Sequence, residues 1–291
     1  MKPPWTIKII ENPGDLPLVE QLQRLVWPGS ETDIVPGHLM RSAVHIGGLL
    51  IGAFIEQELV GYVFGFPGFY DTPDGPRLKH YSSMLGVHPD HRNQGIGFAL
   101  KRAQWQMVRH QGIDRITWTF DPLLSQNAWL NITRLGAVCN TYLRDFYGKM
   151  RDGLNIGLPT DRFQVDWWVN SHRVNRRLSR RARLALDLAH FPASGAPIIN
   201  PSMAGEDNLP HPRERIDINL EKDKTILLLE IPANFMALKT ASIKLALEWR
   251  LHTRSIFEDL FAKGYLVTDF VYLNGAQPRS YYVMCYGEST L

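Results

Sequence analysis

The sequence predicts an α/β protein built on a mixed sheet, followed by a C-terminal α+β extension, and three observations carry that prediction. GLLIGAFI and ELVGYVFGFPG are short apolar runs separated by a polar triplet, Glu56-Gln57-Glu58, which reads as a hairpin. LGVHPDHRNQGIG, residues 85–97, joins an apolar strand end to the helical run FALKRAQWQMVRHQG through a glycine-rich turn. TILLLEIP, a long helical stretch, YLVTDFVYL and SYYVMCY then form a strand-helix-strand-strand unit near the end of the chain.

Each element has a local reason. TIKII at 6–10 reads as a strand, and amphipathic runs at 16–27 and 37–46 read as helices. DTPDGPRLK, with two prolines and a glycine, is the loop after the hairpin, and residues 80–87 form the next strand. The helix after the glycine turn carries Ile96, Ala99, Leu100, Ala103 and Met107 as an apolar stripe, with Gly112 as its stop. DRITWTF at 114–120 reads as a strand and residues 125–135 as a helix before Gly136. Beyond, FQVDWWV alternates as a strand should. Arg173, Arg176, Arg177, Arg180, Arg181 and Arg183 lie on a helix with Val174, Leu178 and Ala182 on its apolar side. Prolines and glycines between 191 and 212 predict a long loop, and a single long helix is expected over 236–263. The division expected is residues 1–150 and residues 151–291.

Composition narrows the class. The chain has 291 residues, 44% hydrophobic and 21% charged, enough for a large core. A net charge of +3 is too small to imply a nucleic-acid partner. The six arginines fall all round their helix without interleaved aromatic residues, so a solvated helix is favoured over a phosphate-binding one. Cys139 and Cys285 are far apart and in no metal-type spacing, which favours a reducing, cytoplasmic setting and no metal. MKPPWTIKIIENPGD has no apolar signal-peptide core, and no run approaches a membrane span, so no membrane partner is expected.

The glycine turn carries the chemistry. A strand-to-helix junction presents several main-chain N–H groups and the positive end of a helix dipole, a combination that binds phosphate. Gly95 and Gly97 have no Cβ, so diphosphate oxygens can approach the backbone closely. A dinucleotide fingerprint would need a third glycine, and a Walker loop a Gly-Lys-Ser/Thr run. Arg92-x-x-Gly95-x-Gly97, preceded by Leu85-x-Val87-x-Pro89, resembles the coenzyme A pyrophosphate loop of the GNAT N-acyltransferase superfamily. The order β-α-α-β-β-β-α-β-α over about the first 150 residues is similar to a GNAT domain. FAKGY followed by two strands is similar to the end of such a domain, so the extension is expected to be a degenerate second half or an unrelated α+β unit.

The resemblance implies an acyl-CoA-dependent N-acyltransferase that uses acetyl-CoA or succinyl-CoA by direct transfer. It implies that Arg92, Asn93, Gln94, Gly95, Ile96 and Gly97 hold the diphosphate, that the Leu85 N–H faces the thioester carbonyl, and that Val87 holds the pantetheine arm. Some members carry a glutamate fourteen residues before the first loop glycine. Tyr81 stands there, and by alternation Tyr81, Ser83 and Leu85 share one face, so Tyr81 and Ser83 are candidates to hold a water or the substrate. His80 has the better pKa for a base but points the other way. Many relatives end the next helix with Tyr-x-x-x-Gly-Phe, whereas this chain has Ile132 before Gly136-Ala137. The thiolate must then be protonated by Tyr142, by Tyr147 or by water. Asn127 and Asn131, at i and i+4, share a helix face from which an amide could reach the pantetheine arm, or they are cap and surface residues.

FDPLLSQNAWLNITRLGA and YLRDFYGKMRDGLNIGLPTDRFQVDWWV resemble a bacterial GNAT subgroup with a long C-terminal extension, and WRLHTRSIFEDLFAKGY continues the likeness. That subgroup is associated with amino-acid acylation, including succinyl transfer, which implies a small amino-acid-like amine as acceptor. Arg144, Lys149 and Arg162 are then the candidates to hold a carboxylate. Protein or peptide N-acetylation, a non-catalytic CoA-binding protein and a nucleic-acid binder are the alternatives, and homodimer formation is left open.

Overall fold

The computed structural model describes residues 3–29, 31–150, 153, 155–179, 195–213, 215 and 226–287. The chain divides into two compact units. The first comprises residues 1–118, 151–153 and 168–170, and the second residues 119–150, 154–167 and 171–291. Residues 119–150 thus group with the second unit, and the short stretches 151–153 and 168–170 with the first. The physical reason is pairing: the strand Val138–Leu143 bonds to Arg162–Trp168 and to Tyr265–Leu273, which draws residues 119–150 into the second unit.

In the first unit, β1 (Thr6–Ile9), β2 (Leu49–Ile55), β3 (Glu58–Tyr70), β4 (Arg77–Val87) and β5 (Arg115–Phe120) lie in that order. β5 runs across the boundary into the second unit. Successive neighbours are antiparallel except β4 and β5, which are parallel. The expected hairpin is present, with Leu50 opposite Phe64 and Gly52 opposite Tyr62. Side chains alternate across the sheet. Tyr62 and Phe64 pack with Leu50 against Val19 and Leu22 of α1 (Leu16–Val26) and Met40 of α2 (Gly37–His45). A Cβ on Gly61 would instead meet Ile96 and Leu100 of α3 (Ile96–His110), so α3 covers the opposite face.

The second unit holds an antiparallel array in the order β7 (Arg162–Trp168), β6 (Val138–Leu143), β11 (Tyr265–Leu273), β12 (Arg279–Tyr286) and β10 (Leu227–Ile231). β8 (Met203–Ala204) and β9 (Pro210–His211) form a two-residue ladder inside the stretch expected to be a loop. The core centres on aromatic rings, with Phe163 and Phe257 edge to face at 4.6 Å between centroids and Phe270 at 5.0 Å from Tyr282.

Three helices differ from expectation. The helix expected over 125–135 is α-helical only in α4 (Ser125–Ala128) and continues as a π turn, Trp129–Arg134, where Leu135 N–H donates to Leu130 O at 2.9 Å. Here Thr133 Oγ1 lies 2.9 Å from Asp269 Oδ1 and 2.8 Å from Phe270 O, a buried tether to β11. The arginine helix is α5 (His172–Leu178), capped by the Ser171 hydroxyl accepting from Val174 N–H. Its Arg173 and Arg177 are not solvated: Arg173 donates to Gly136 O at 2.9 Å and to Thr268 O, and Arg177 to Asp269 at 2.6 Å. Arg180, Arg181 and Arg183 lie outside the described residues. The long helix is two, α6 (Phe235–Ala241) and α7 (Ile243–Ala262), because Ser242 is extended at φ −153° and accepts from Leu245 N–H through its side chain. Among the described residues no helix is long and apolar enough to cross a membrane.

Candidate active site

The loop at 88–95 is built by local bonds. His88 N–H donates to Val60 O of β3 at 2.9 Å, and a single 3-10 turn, Pro89–His91, follows. Arg92 Nε donates to Val87 O at 3.3 Å and Gln94 Nε2 to Asp90 O at 3.4 Å, so both side chains brace the loop. Asn93 and Gly95 adopt positive φ of 62° and 81°. Gly95 is the N-cap of α3 and no side chain caps the helix. First-turn amides of a helix have no acceptor within it. Arg92, Asn93, Gln94 and Gly95 are exposed, and a Cβ built on Gly95 meets nothing within 4 Å. The space above these amides therefore suits an anion held by backbone N–H groups and the dipole of α3.

β4 leads into this loop and parts from β5. The two strands pair only at His80↔Ile116 and Tyr81↔Thr117. Because His88 N–H points to β3, alternation aims the main-chain groups of Gly86 and Met84 the same way and those of Leu85 and Val87 away from β3, into the opening. The side chain of Leu85 lies opposite Val63, on the α3 face.

The shared face expected for Tyr81, Ser83 and Leu85 is not formed. The β3–β4 register steps from Phe64↔Met84 to Phe66↔Tyr81, so a bulge places Ser82 and Ser83 together opposite Gly65. The extra residue reverses the alternation. Tyr81 joins Met84 on the α1 and α2 face, where its ring stands 5.8 Å from Phe66. Leu85 is on the other face.

On the α3 side of the bulge is a buried polar group that sequence reasoning missed. Lys101 Nζ lies 2.9 Å from Ser82 Oγ and 3.0 Å from Gln104 Oε1, and Gln104 Nε2 lies 3.1 Å from His80 Nε2. Burial, with the nearby Lys101, pushes the His80 imidazole down to about 3, so it is neutral and enclosed. It is unsuited to take a proton from a substrate. One signal points to the group: Gln104 stands four residues from both Leu100 and Val108, on the apolar line of α3.

Tyr142, Asn127, Asn131, Arg144, Lys149 and Arg162 belong to the second unit. The Tyr142 hydroxyl donates to Asp161 Oδ2 at 2.7 Å, and burial together with the Asp161 charge raises its pKa well above the ordinary phenol range. Asp161 is also clasped by Arg254 through two 2.8 Å bonds. Tyr147 shares a 2.9 Å hydroxyl bond with Thr119. Asn131 is buried in the π turn and Asn127 is exposed. Arg144 grips Glu258 at 2.5 and 2.6 Å, Arg162 donates to Asn155 at 2.7 Å and to Asp161 O at 2.9 Å, and Lys149 is exposed. The two arginines are thus already engaged with protein oxygens. Among the described residues no cluster of His, Cys, Asp and Glu could hold a metal.

Residues 19–136 match the family model described as acetyltransferase (GNAT) family. No curated protein matches the chain. Among solved structures, NAA60 of Arabidopsis thaliana in complex with acetyl-CoA is similar at 19% identity and a TM-score of 0.45, covering 56% of this chain and 99% of that one. Aminoglycoside 6'-acetyltransferase type Ii is similar at 18% identity and a TM-score of 0.45, with 57% and 98% covered. Ribosomal-protein-S18-alanine N-acetyltransferase from Escherichia coli is similar at 15% identity and a TM-score of 0.44, with 57% and 95% covered.

Proposed function

We propose, from the match of residues 19–136 to the GNAT acetyltransferase family model, that the chain transfers an acetyl group from acetyl-CoA to a primary amine by direct attack. The observation that carries this reading is the open turn at Gly95, left-handed at φ 81° with no side chain capping the helix behind it. Loop amides from Arg92 to Gly97 hold the diphosphate without needing a charged side chain. Val87 holds the pantetheine arm through its outward main-chain groups. The Leu85 N–H, aimed into the same opening, stabilises the oxyanion formed when the neutral amine attacks the thioester carbonyl; one such donor is worth about 3–4 kcal/mol in the transition state.

Proton transfer is assigned by elimination. His80 is enclosed on the α3 face, so Tyr81 and Ser83 hold the acceptor or a water that accepts the amine proton. Tyr142 already donates to Asp161 and is the poorer acid, so water protonates the departing thiolate. Asn127 and Asn131 are proposed contacts to the pantetheine arm. Acetyl is favoured over succinyl because Arg144 and Arg162, two of the three candidates to hold an acyl carboxylate, are bonded to protein oxygens. The acceptor proposed is a small amino-acid-like amine, on the resemblance of residues 80–175 to amino-acid acylating proteins, and the setting proposed is the cytoplasm. We also propose that β10, α6, α7, β11 and β12 are a degenerate GNAT-like half, on the FAKGY junction before β11.

The test is a panel of acetyl-, succinyl- and longer acyl-CoA against amino acids, aminoglycosides and N-terminal peptides, read by thiol release. Release that requires both acetyl-CoA and an amine is expected. No turnover across the panel contradicts the proposal.

A further inference from the structure

A side chain that belongs to neither strand reaches the point where β4 and β5 part. After Tyr81↔Thr117 the next residues in line are Ser82 and Trp118, and Lys101 reaches both. Its Nζ lies 2.9 Å from Ser82 Oγ and 3.7 Å from the centroid of the Trp118 ring. Lys101 is 1% exposed, so its amine is cut off from water. Around it, Gln104 bridges from Lys101 to His80, and two further polar atoms, His80 Nδ1 and Thr117 Oγ1, are buried without a hydrogen-bond partner among the described residues.

Such an arrangement is costly. A buried amine and two orphaned polar atoms each oppose folding by desolvation. Burial drives the Lys101 ammonium far below its ordinary range, towards the neutral amine. An apolar side chain would fill the same space without that penalty, so the polar group has a positional consequence to account for it. The bulge at Ser82–Ser83 supplies one. It sits where Lys101 bonds, and it turns the main-chain groups of Leu85 and Val87 into the opening. α3 also carries the glycine turn at its N-terminus, six residues before Lys101. One rigid helix therefore ties the phosphate turn to the fork.

We propose that Lys101 is a positioning residue that wedges β4 from β5 and sets the angle at which Leu85 and Val87 meet the pantetheine arm. The proposal rests on the acyl-CoA reading above for its ligand, but the wedge itself does not.

Three variants of the full chain test it: Lys101→Met, which keeps the stem, Ser82→Ala, which removes the acceptor, and Ser82→Thr, which keeps the hydroxyl. Each is titrated with acetyl-CoA and with 3′-phosphoadenosine 5′-diphosphate, the head group without the arm, and amide hydrogen exchange is read at residues 83–87. Lys101→Met and Ser82→Ala are expected to weaken acetyl-CoA about tenfold, as loss of one buried bond implies. Head-group affinity stays within about twofold because the turn is untouched. Exchange at 83–87 shifts in both, and Ser82→Thr restores affinity and exchange. Equal weakening of both ligands, or unchanged exchange in both variants, overturns the wedge. If the wild-type chain binds neither ligand, the acyl-CoA reading fails and the exchange comparison alone decides the wedge. If Lys101→Met does not fold, the two Ser82 variants decide between the same outcomes.

Discussion

His80 Nε2 lies 3.1 Å from Gln104 Nε2 in the interior between β4 and α3. Gln104 turns its oxygen to Lys101 and so offers its N–H to the imidazole, which must accept at Nε2 and carry its proton at Nδ1. Protonating the ring would set donor against donor. Burial and the neighbouring Lys101 hold it at about 3, against 6.5 when exposed. The sign follows directly: below pH 6.5 the unfolded chain takes up a proton that the folded chain refuses until about pH 3. Stability should therefore decline as the pH drops through that window, by up to about 1.4 kcal/mol per unit. Urea melts of wild type and His80→Gln at pH 6 and pH 4 check this, the variant losing about 2 kcal/mol less between them.

Gly65 is the other half of that junction. A Cβ there would press on the His80 ring and sit 2.6 Å from Tyr81 O, a backbone atom that cannot yield, and 3.0 Å from the Gln104 side chain. Gly65→Ala should destabilise the protein by about 1–3 kcal/mol. Thermal melts read the loss, and acetyl-CoA affinity should fall with it because the bulge would be displaced.

In the second unit, Arg250 forks onto Asp121 with bonds of 2.8 and 2.5 Å, and its side chain is 1% exposed. Burial opposes its charge, and the Asp121 carboxylate outweighs burial and raises its pKa. Removing either partner strands the other. Asp121→Asn and Arg250→Met should each cost about 3–5 kcal/mol, a fall in Tm of about 10 °C. The double variant should cost less than the sum of the two, as calorimetry would show.

Tyr142→Phe separates strut from acid. Loss of the 2.7 Å bond to Asp161 should lower stability by about 1–2 kcal/mol. Turnover should stay within about threefold of wild type and the pH-rate profile should keep its shape, since a lost general acid costs about a hundredfold or more.

The sequence is most legible where one local signal decides the outcome. Strands at 49–55 and 58–70 follow from apolar runs around a polar triplet, and the turn at Gly95 from its glycines. Features that depend on a partner far along the chain are hidden. The bulge at Ser82–Ser83 exists because Gly65 and Lys101 meet it from other elements, so alternation alone puts Tyr81 and Leu85 on one face. Lys101 escapes notice because nothing local marks a lysine for burial. The π turn at Trp129–Arg134 follows from the tether of Thr133 to β11, more than a hundred residues away. The same holds for the split helix at Ser242, where a residue that can cap a helix reads as an interior one.

The central claim is that the turn at Gly95 grips the diphosphate of an acyl-CoA. Titration calorimetry of the full chain with acetyl-CoA, beside Gly95→Val, tests it most directly. Valine at φ 81° is strained and places a branched side chain in the open space above the amides. The account predicts saturable one-site binding by the wild type and at least about a tenfold loss in the variant at unchanged fold, the equivalent of about 1.4 kcal/mol. Absence of binding by the wild type, or equal affinity in the two proteins, would contradict it.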